Sequence, residues 1–309
     1  MCVQRFLEFA EWSREQLAAA PMPVLDAMVE SYVEFLFRND EEMHVASYVL
    51  AATVFFLDRS LRAPDVLVKS KLALSGWKKQ EPPASRLPLP WAVACLMAVW
   101  LAQQNSDLCL QVARALVIQF DTFARPGEIV TLPLASVIVP HKRSRRAYGQ
   151  VALVFAASDD VVPLQQYETA RLTKTGDQDD TVIIDTASFP HVASIVLAAV
   201  ASAKLAGSVR LFGSLTPAIY NHWVQRAARD CGIPFEVCPH MARHGGASEA
   251  IHRNLRELKG VQLRGRWRCF ESVRRYQKQG KLLAQMRRLS KTVAPSARRA
   301  EDAGLSFLS

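Results

Sequence analysis

No two of the six cysteines (Cys2, Cys95, Cys109, Cys231, Cys238 and Cys269) form a Cys-x-x-Cys pair, and no histidine spacing completes a zinc set. The expectation is a set of reduced thiols in an intracellular, soluble chain, with Cys95 and Cys109 in apolar stretches as core residues. The N-terminus lacks the basic region, apolar run and small-residue cleavage site of a signal peptide. The apolar run at 91–101 is too short to span a bilayer and passes into Gln103-Gln104-Asn105. No Asp/Glu cluster suggests a metal, and there is no internal repeat. Acidic residues are scarce towards the end: from Arg253 to Arg299 fifteen basic residues face only Glu257 and Glu271. That excess exceeds the net charge of +9 of the 309-residue chain, so the remainder is slightly acidic. One sign of charge at this density repels itself in water, which favours a phosphate-facing surface over a merely solvated helix face.

Half of the residues are hydrophobic, enough for real cores, and the length allows two domains. Residues 1–80 read as helices. Leu25, Met28, Val29, Tyr32, Val33 and Leu36 recur at helical spacing, His44–Leu57 is nearly all apolar, and Asp65–Trp77 carries or adjoins Lys69, Lys71, Lys78 and Lys79. Residues 81–90 hold four prolines and read as a stiff linker. Trp91–Gln103 and Leu108–Phe120 follow as helices. Ser136–Val139 and Val151–Phe155 are β-rich and flank a basic loop with Lys142 and Arg143. Glu168–Thr173 and Thr181–Asp185 read as a hairpin around Lys174. Val192–Leu205 and Ala218–Asp230 are further helices, and residues 291–309 read as a tail that frays or packs on a neighbouring subunit.

The stretch with the most chemistry runs from Pro239 to Tyr276. His240 and Arg243, three apart on a helix that Pro239 starts, share a face and suit an anionic oxygen. Taken alone, the pair also fits a capping histidine and a surface arginine, the commoner case. Arg125, just before Pro126 at a helix start, has Glu128 three residues on, either to hold it or to favour the helix dipole. Trp267 and Tyr276 also fit as ordinary packed aromatics, and Lys174 as a turn lysine.

Taken in order, these residues resemble the catalytic domain of the tyrosine recombinases, the phage-integrase-like enzymes. Arg125-x-x-Glu128 looks like their first box, and Lys174 before a Gly-Asp turn looks like their hairpin lysine. His240-x-x-Arg243-His244, with Ala247-Ser248 following, looks like the second box. Trp267 falls where they carry His or Trp, and Tyr276 where they carry the nucleophile. The resemblance covers residues 87 to 290. It implies a mostly α fold with a small antiparallel β-sheet in a catalytic domain at 91–290, preceded at 1–80 by a helical core-binding-like domain.

It also implies a site-specific DNA recombinase or integrase working through a covalent 3′-phosphotyrosine, with no metal, cofactor or ATP. Its partners are double-stranded DNA and further copies of the chain, as a tetramer on DNA, with no membrane. It would work in the nucleus of a eukaryote or the cytoplasm of a bacterium. Catalysis falls to Arg125, Lys174, His240, Arg243, Trp267 and Tyr276, supported by Glu128 and His244. DNA contacts fall to Lys69, Lys71, Lys78, Lys79, Lys142, Arg143, Arg264, Arg266 and Arg268. Pro126 and the Leu263-Arg264-Gly265-Arg266-Trp267 sequence depart from the usual pattern and look more like recombinases of eukaryotic mobile elements. An inactive DNA-binding descendant and a type IB topoisomerase-like enzyme are the competing readings.

Overall fold

The computed structural model describes residues 2–57, 63, 65–80, 87–140, 149–155, 181–185, 189, 191–267, 269–274 and 276–309. The chain divides into two compact units, Met1–Ser85 and Arg86–Ser309. Lys142, Arg143, Lys174 and Arg268, and the strand expected at 168–173, lie outside the described residues.

The first unit is helical: α1 (Cys2–Ala10), α2 (Arg14–Ala19), α3 (Met22–Arg38), α4 (Met43–Phe56) and α5 (Val68–Gln80). Pro21 and Pro23 start α3, because proline's fixed φ suits a first turn. The apolar stripe of α3 buries Leu25, Val29, Tyr32, Val33 and Leu36. The start of α5 is capped from a distance. Asp26 accepts N–H bonds from Lys69 and Ser70, each of 2.9 Å, and the Ser70 hydroxyl at 2.7 Å. Burial acts to raise the pKa of Asp26, but these bonds prevail and hold it below the usual carboxylate range.

The second unit contains α6 (Trp91–Ala102), α7 (Asp107–Thr122), α8 (Pro126–Val130), β1 (Val137–Ile138), β2 (Val151–Val154), β3 (Thr181–Ile184), α9 (Val192–Leu205), α10 (Pro217–Asp230), α11 (Pro239–His252), α12 (Leu258–Arg264), α13 (Phe270–Arg274), α14 (Gln279–Arg288) and α15 (Val293–Asp302). The sheet is antiparallel in the order β1-β2-β3, with Val137 opposite Leu153 and Val151 opposite Ile184. A mostly helical chain with one small antiparallel sheet is the expected class.

α7 lies at the centre, packed on α6, α9 and α11. Ser106 caps its start, and Phe123 ends it in the left-handed conformation. α11 comes close to this end because it carries Gly245-Gly246: a Cβ on Gly246 would lie 1.9 Å from the Phe120 carbonyl oxygen, and one on Gly245 2.0 Å from that of Leu89. Gly246→Ala is therefore expected to cost about 1–3 kcal/mol by overpacking, beyond what a helical alanine gains. The check is its urea midpoint beside that of Gly280→Ala, whose Cβ meets nothing within 4 Å.

Two parts of the chain differ from the sequence expectation. Leu87–Pro90, placed in the linker, belongs to the second unit: Leu89 is buried and its N–H donates to the Met241 carbonyl at 3.0 Å. The stretch 291–309 is not a frayed tail, since α15 packs on α6 of the same chain and Leu305 and Leu308 are buried. Buried Arg114 donates to the Leu308 carbonyl at 2.8 Å, and Arg253 bridges Glu249 and Glu301. Glu249 in turn accepts the Trp91 N–H at 2.9 Å, so α6, α11 and α15 are joined at one point. Small residues and scattered charge read as disorder in sequence; the partners that order them lie far upstream.

Candidate active site

α11 begins where Gln119 of α7 fixes the chain, its amide donating to the Pro239 carbonyl at 2.9 Å while its oxygen accepts the Tyr220 hydroxyl at 2.6 Å. His240 follows in the first turn, half-buried. One turn later Arg243 is only 4 % exposed. It donates to two main-chain carbonyls, Phe123 at the end of α7 and Gly265 at the end of α12, the latter at 2.8 Å. Its guanidinium carbon lies 4.6 Å from the centre of the Trp267 ring, on whose indole Tyr276 also packs. Burial pulls the pKa of Arg243 down, with Tyr276 and Glu128 opposing, yet an arginine stays charged.

Trp267 has its place because residue 265 is glycine. A Cβ there would fall 1.9 Å from the indole Cζ3. Gln262 brackets Trp267, accepting its N–H at 3.1 Å and donating to its carbonyl at 3.0 Å. Trp267 joins Phe123, Ala247, Ala250, Val261 and Val273 in a small core of their own, with Tyr276 against it. The Tyr276 ring lies 4.3 Å from Trp267 and stacks on His244 at 4.7 Å. Its carbonyl accepts the buried Ser248 hydroxyl at 2.7 Å and the Lys278 N–H at 2.8 Å. Ring and backbone of the tyrosine are thus both held.

Arg125 is the N-cap of α8 and half-exposed, and Glu128 accepts both its N–H, at 2.7 Å, and its guanidinium. Glu128 also pairs with Arg266. Burial would raise the Glu128 pKa, but Arg266, the Arg125 N–H, Arg125 and Arg243 together hold it below its usual range. The structure therefore joins Arg125 and Glu128 to Arg266 in one group, and Arg243, His244, Trp267 and Tyr276 in another, with His240 one helical turn from Arg243.

Among the residues expected to touch DNA, Lys69, Lys78 and Lys79 are exposed, the last two in the final turn of α5. Lys71 is half-buried and its ammonium donates to the Ala63 carbonyl at 2.8 Å. Arg264 and Arg266 do not stand on the surface. Arg264 is 8 % exposed, pairs with the Asp121 carboxylate at 2.5 Å, and donates to the carbonyls of Asp121 at 2.7 Å and Ile183 at 2.8 Å. It thereby ties β3 and the end of α7 to α12. A buried guanidinium needs a carboxylate to offset its desolvation, and Asp121 and Glu128 supply one each.

Lys278 carried no signal in sequence beyond its place two residues after Tyr276. It is buried, lies 3.2 Å from His244 Nδ1 and 5.8 Å from the centre of the Tyr276 ring. Burial, with Lys281 nearby, brings its pKa down to about 8 from 10.5. Below about pH 8 the amine is charged in both states and its burial detracts from stability. As pH rises from about 8 towards 10.5, the folded chain has released a proton that the unfolded chain still holds. Stability should then rise relative to Lys278→Met. Urea midpoints of the two proteins between about pH 7 and 10 check this, and a constant difference between them would contradict it.

Among the described residues no helix is long and apolar enough to cross a membrane. No family model matches the sequence, and no curated protein sequence is similar to it. Solved structures are similar. XerH, a site-specific recombinase bound to palindromic difH substrate in a post-cleavage complex, has a TM-score of 0.53 at 13% identity, over 90% of this chain and 74% of XerH. A lambda integrase dimer bound to a COC′ core site scores 0.52 at 12% identity, over 89% and 87% of the two chains. The Tn1549 transposon integrase in complex with transposon right end DNA scores 0.52 at 10% identity, over 98% and 93%. Over nearly its whole length, and at low sequence identity, this chain has the fold of the tyrosine recombinases and integrases.

Proposed function

We propose that this protein is a site-specific DNA recombinase or integrase that cuts and rejoins DNA through a covalent 3′-phosphotyrosine. The observation that carries the reading is Tyr276 held on Trp267 and His244, with Arg243, a buried cation fixed by two carbonyls, against the same Trp267 ring.

A phosphodiester resists attack because charge builds on its non-bridging oxygens. Arg243 and Arg125 are permanently charged forks for those oxygens, and His240 donates a hydrogen bond or holds a proton beside them. Trp267 supplies an indole N–H that cannot titrate. The Tyr276 oxygen attacks phosphorus and gives up its proton to water, the bond to the 5′-oxygen breaks, and Lys174 protonates that leaving oxygen. The phosphotyrosine conserves the bond energy, so rejoining needs no ATP and no metal. Double-stranded DNA is the substrate, held by Lys69, Lys78, Lys79 and the exposed cations beyond Arg253, such as Lys259, Lys281 and Arg287, and the working form is a homo-oligomer on DNA, a tetramer. Its place is wherever the cell keeps its DNA. Recombinases and integrases of the same fold, solved with DNA bound, support that substrate.

Covalent trapping tests the proposal. The full chain is incubated with nicked duplexes made from a pool of genome fragments and run on a denaturing gel. DNA-linked protein is the expected product, and sequencing the linked DNA identifies the site. A salt-dependent gel shift with no adduct from any fragment would replace the enzyme with a DNA-binding protein that does not turn over.

A further inference from the structure

Arg266 follows α12 with a left-handed backbone, φ 55°. Glycine adopts that conformation freely, whereas a residue with a Cβ is strained there. An arginine kept in such a place points to its side chain. That side chain is buried, donates to Glu128 Oε2 and lies 4.2 Å from the centre of the Phe155 ring. The same carboxylate accepts the N–H and the guanidinium of Arg125. One glutamate therefore carries two guanidiniums, a buried one on α12's end and a half-exposed one at the start of α8.

We propose that Arg266 is a positioning residue for Arg125, acting through Glu128: it neutralises the carboxylate from the buried side, so that Glu128 aims Arg125 without retaining it. The charges make the case. Arg125 and Glu128 alone form a neutral pair with little net attraction for an anion. With Arg266 the trio carries one positive charge, and Arg125 is its exposed member, free to turn to a phosphate. Arg243 adds to the same field. The part played by phosphate rests on the function proposed above; the competition for Glu128 does not.

Arg266→Gly tests this, since it removes the guanidinium and relieves the backbone together. Adduct formation should slow by about tenfold or more, less than the loss of a donor that touches phosphate directly. DNA affinity and its salt slope should stay as in wild type; a slope lowered by about one would make Arg266 a phosphate contact and overturn the proposal. Adding Glu128→Gln to Arg266→Gly should restore part of the rate, because no uncompensated carboxylate then holds Arg125. A rate that stays down would also overturn it.

A second arm needs no DNA. The loss in urea midpoint caused by Arg125→Ala should be larger in Arg266→Gly than in wild type, because Glu128 then depends on Arg125 alone. In Arg266→Lys, which keeps the charge, the loss should match wild type. An equal or smaller loss in Arg266→Gly, or an Arg266→Gly chain that no longer unfolds cooperatively, overturns the proposal. If wild-type protein forms no adduct with any DNA, the function proposed above fails, and the urea arm still decides the role of Arg266.

Discussion

Tyr276→Phe is expected to abolish the proposed covalent adduct and to leave the rest of the protein in place. The ring contacts explain why this variant is clean. Phenylalanine keeps the stack on His244 and the packing on Trp267, and the Ser248 bond goes to the main chain, not to the side chain. Only the hydroxyl and whatever it bonds are lost. A single hydrogen bond is worth about 0.5–1.5 kcal/mol net, somewhat more to a charged partner, so the protein stays folded. Without the oxygen there is no covalent bond to make, and the rate should fall by on the order of 10⁴ or more, the scale seen when a covalent nucleophile is removed. DNA affinity should change little, since every cation proposed to face phosphate remains. The measurement is a denaturing gel of wild type and variant with the same trapped substrate, beside a native gel shift. An adduct persisting in the variant moves the nucleophile elsewhere.

How much of this was legible in the sequence follows the distance between partners. His240 and Arg243 could be paired because they stand three apart on one helix face, whereas Trp267 entered only through the family resemblance; the stripe of α3 could be read because burial there repeats every turn. Arg264 and Arg266 could not be placed. Charge-dense sequence reads as surface, and their partners Asp121 and Glu128 stand 143 and 138 residues upstream. The left-handed turns at Phe123 and Arg266 also escape a reading of residue types, because both positions suit glycine yet hold large side chains. Only the folded chain shows what offsets that strain: Phe123 enters the core under Trp267, and Arg266 reaches Glu128. The same holds for the last residues, ordered by Arg114 and Arg253 from outside their own segment.

Arg243→Lys is the second large effect, and it separates shape from charge. The substitution keeps one positive charge at the same point of α11. It loses the planar fork that spans Phe123 O and Gly265 O while the guanidinium lies against Trp267. An ammonium has three donors at one point and cannot meet carbonyls from two elements and a phosphate together. Two consequences follow. One buried carbonyl is left without its donor, which costs about 1–3 kcal/mol of stability. The transition state loses a fixed donor as well, worth about 2.7–4 kcal/mol, or 10²–10³ in the rate of adduct formation. Urea denaturation gives the first quantity. The second comes from adduct formation at a temperature where both proteins are fully folded. If Arg243 only holds the scaffold, the rate loss disappears under those conditions; if it also faces the scissile phosphate, the loss remains after stability has been removed from the comparison.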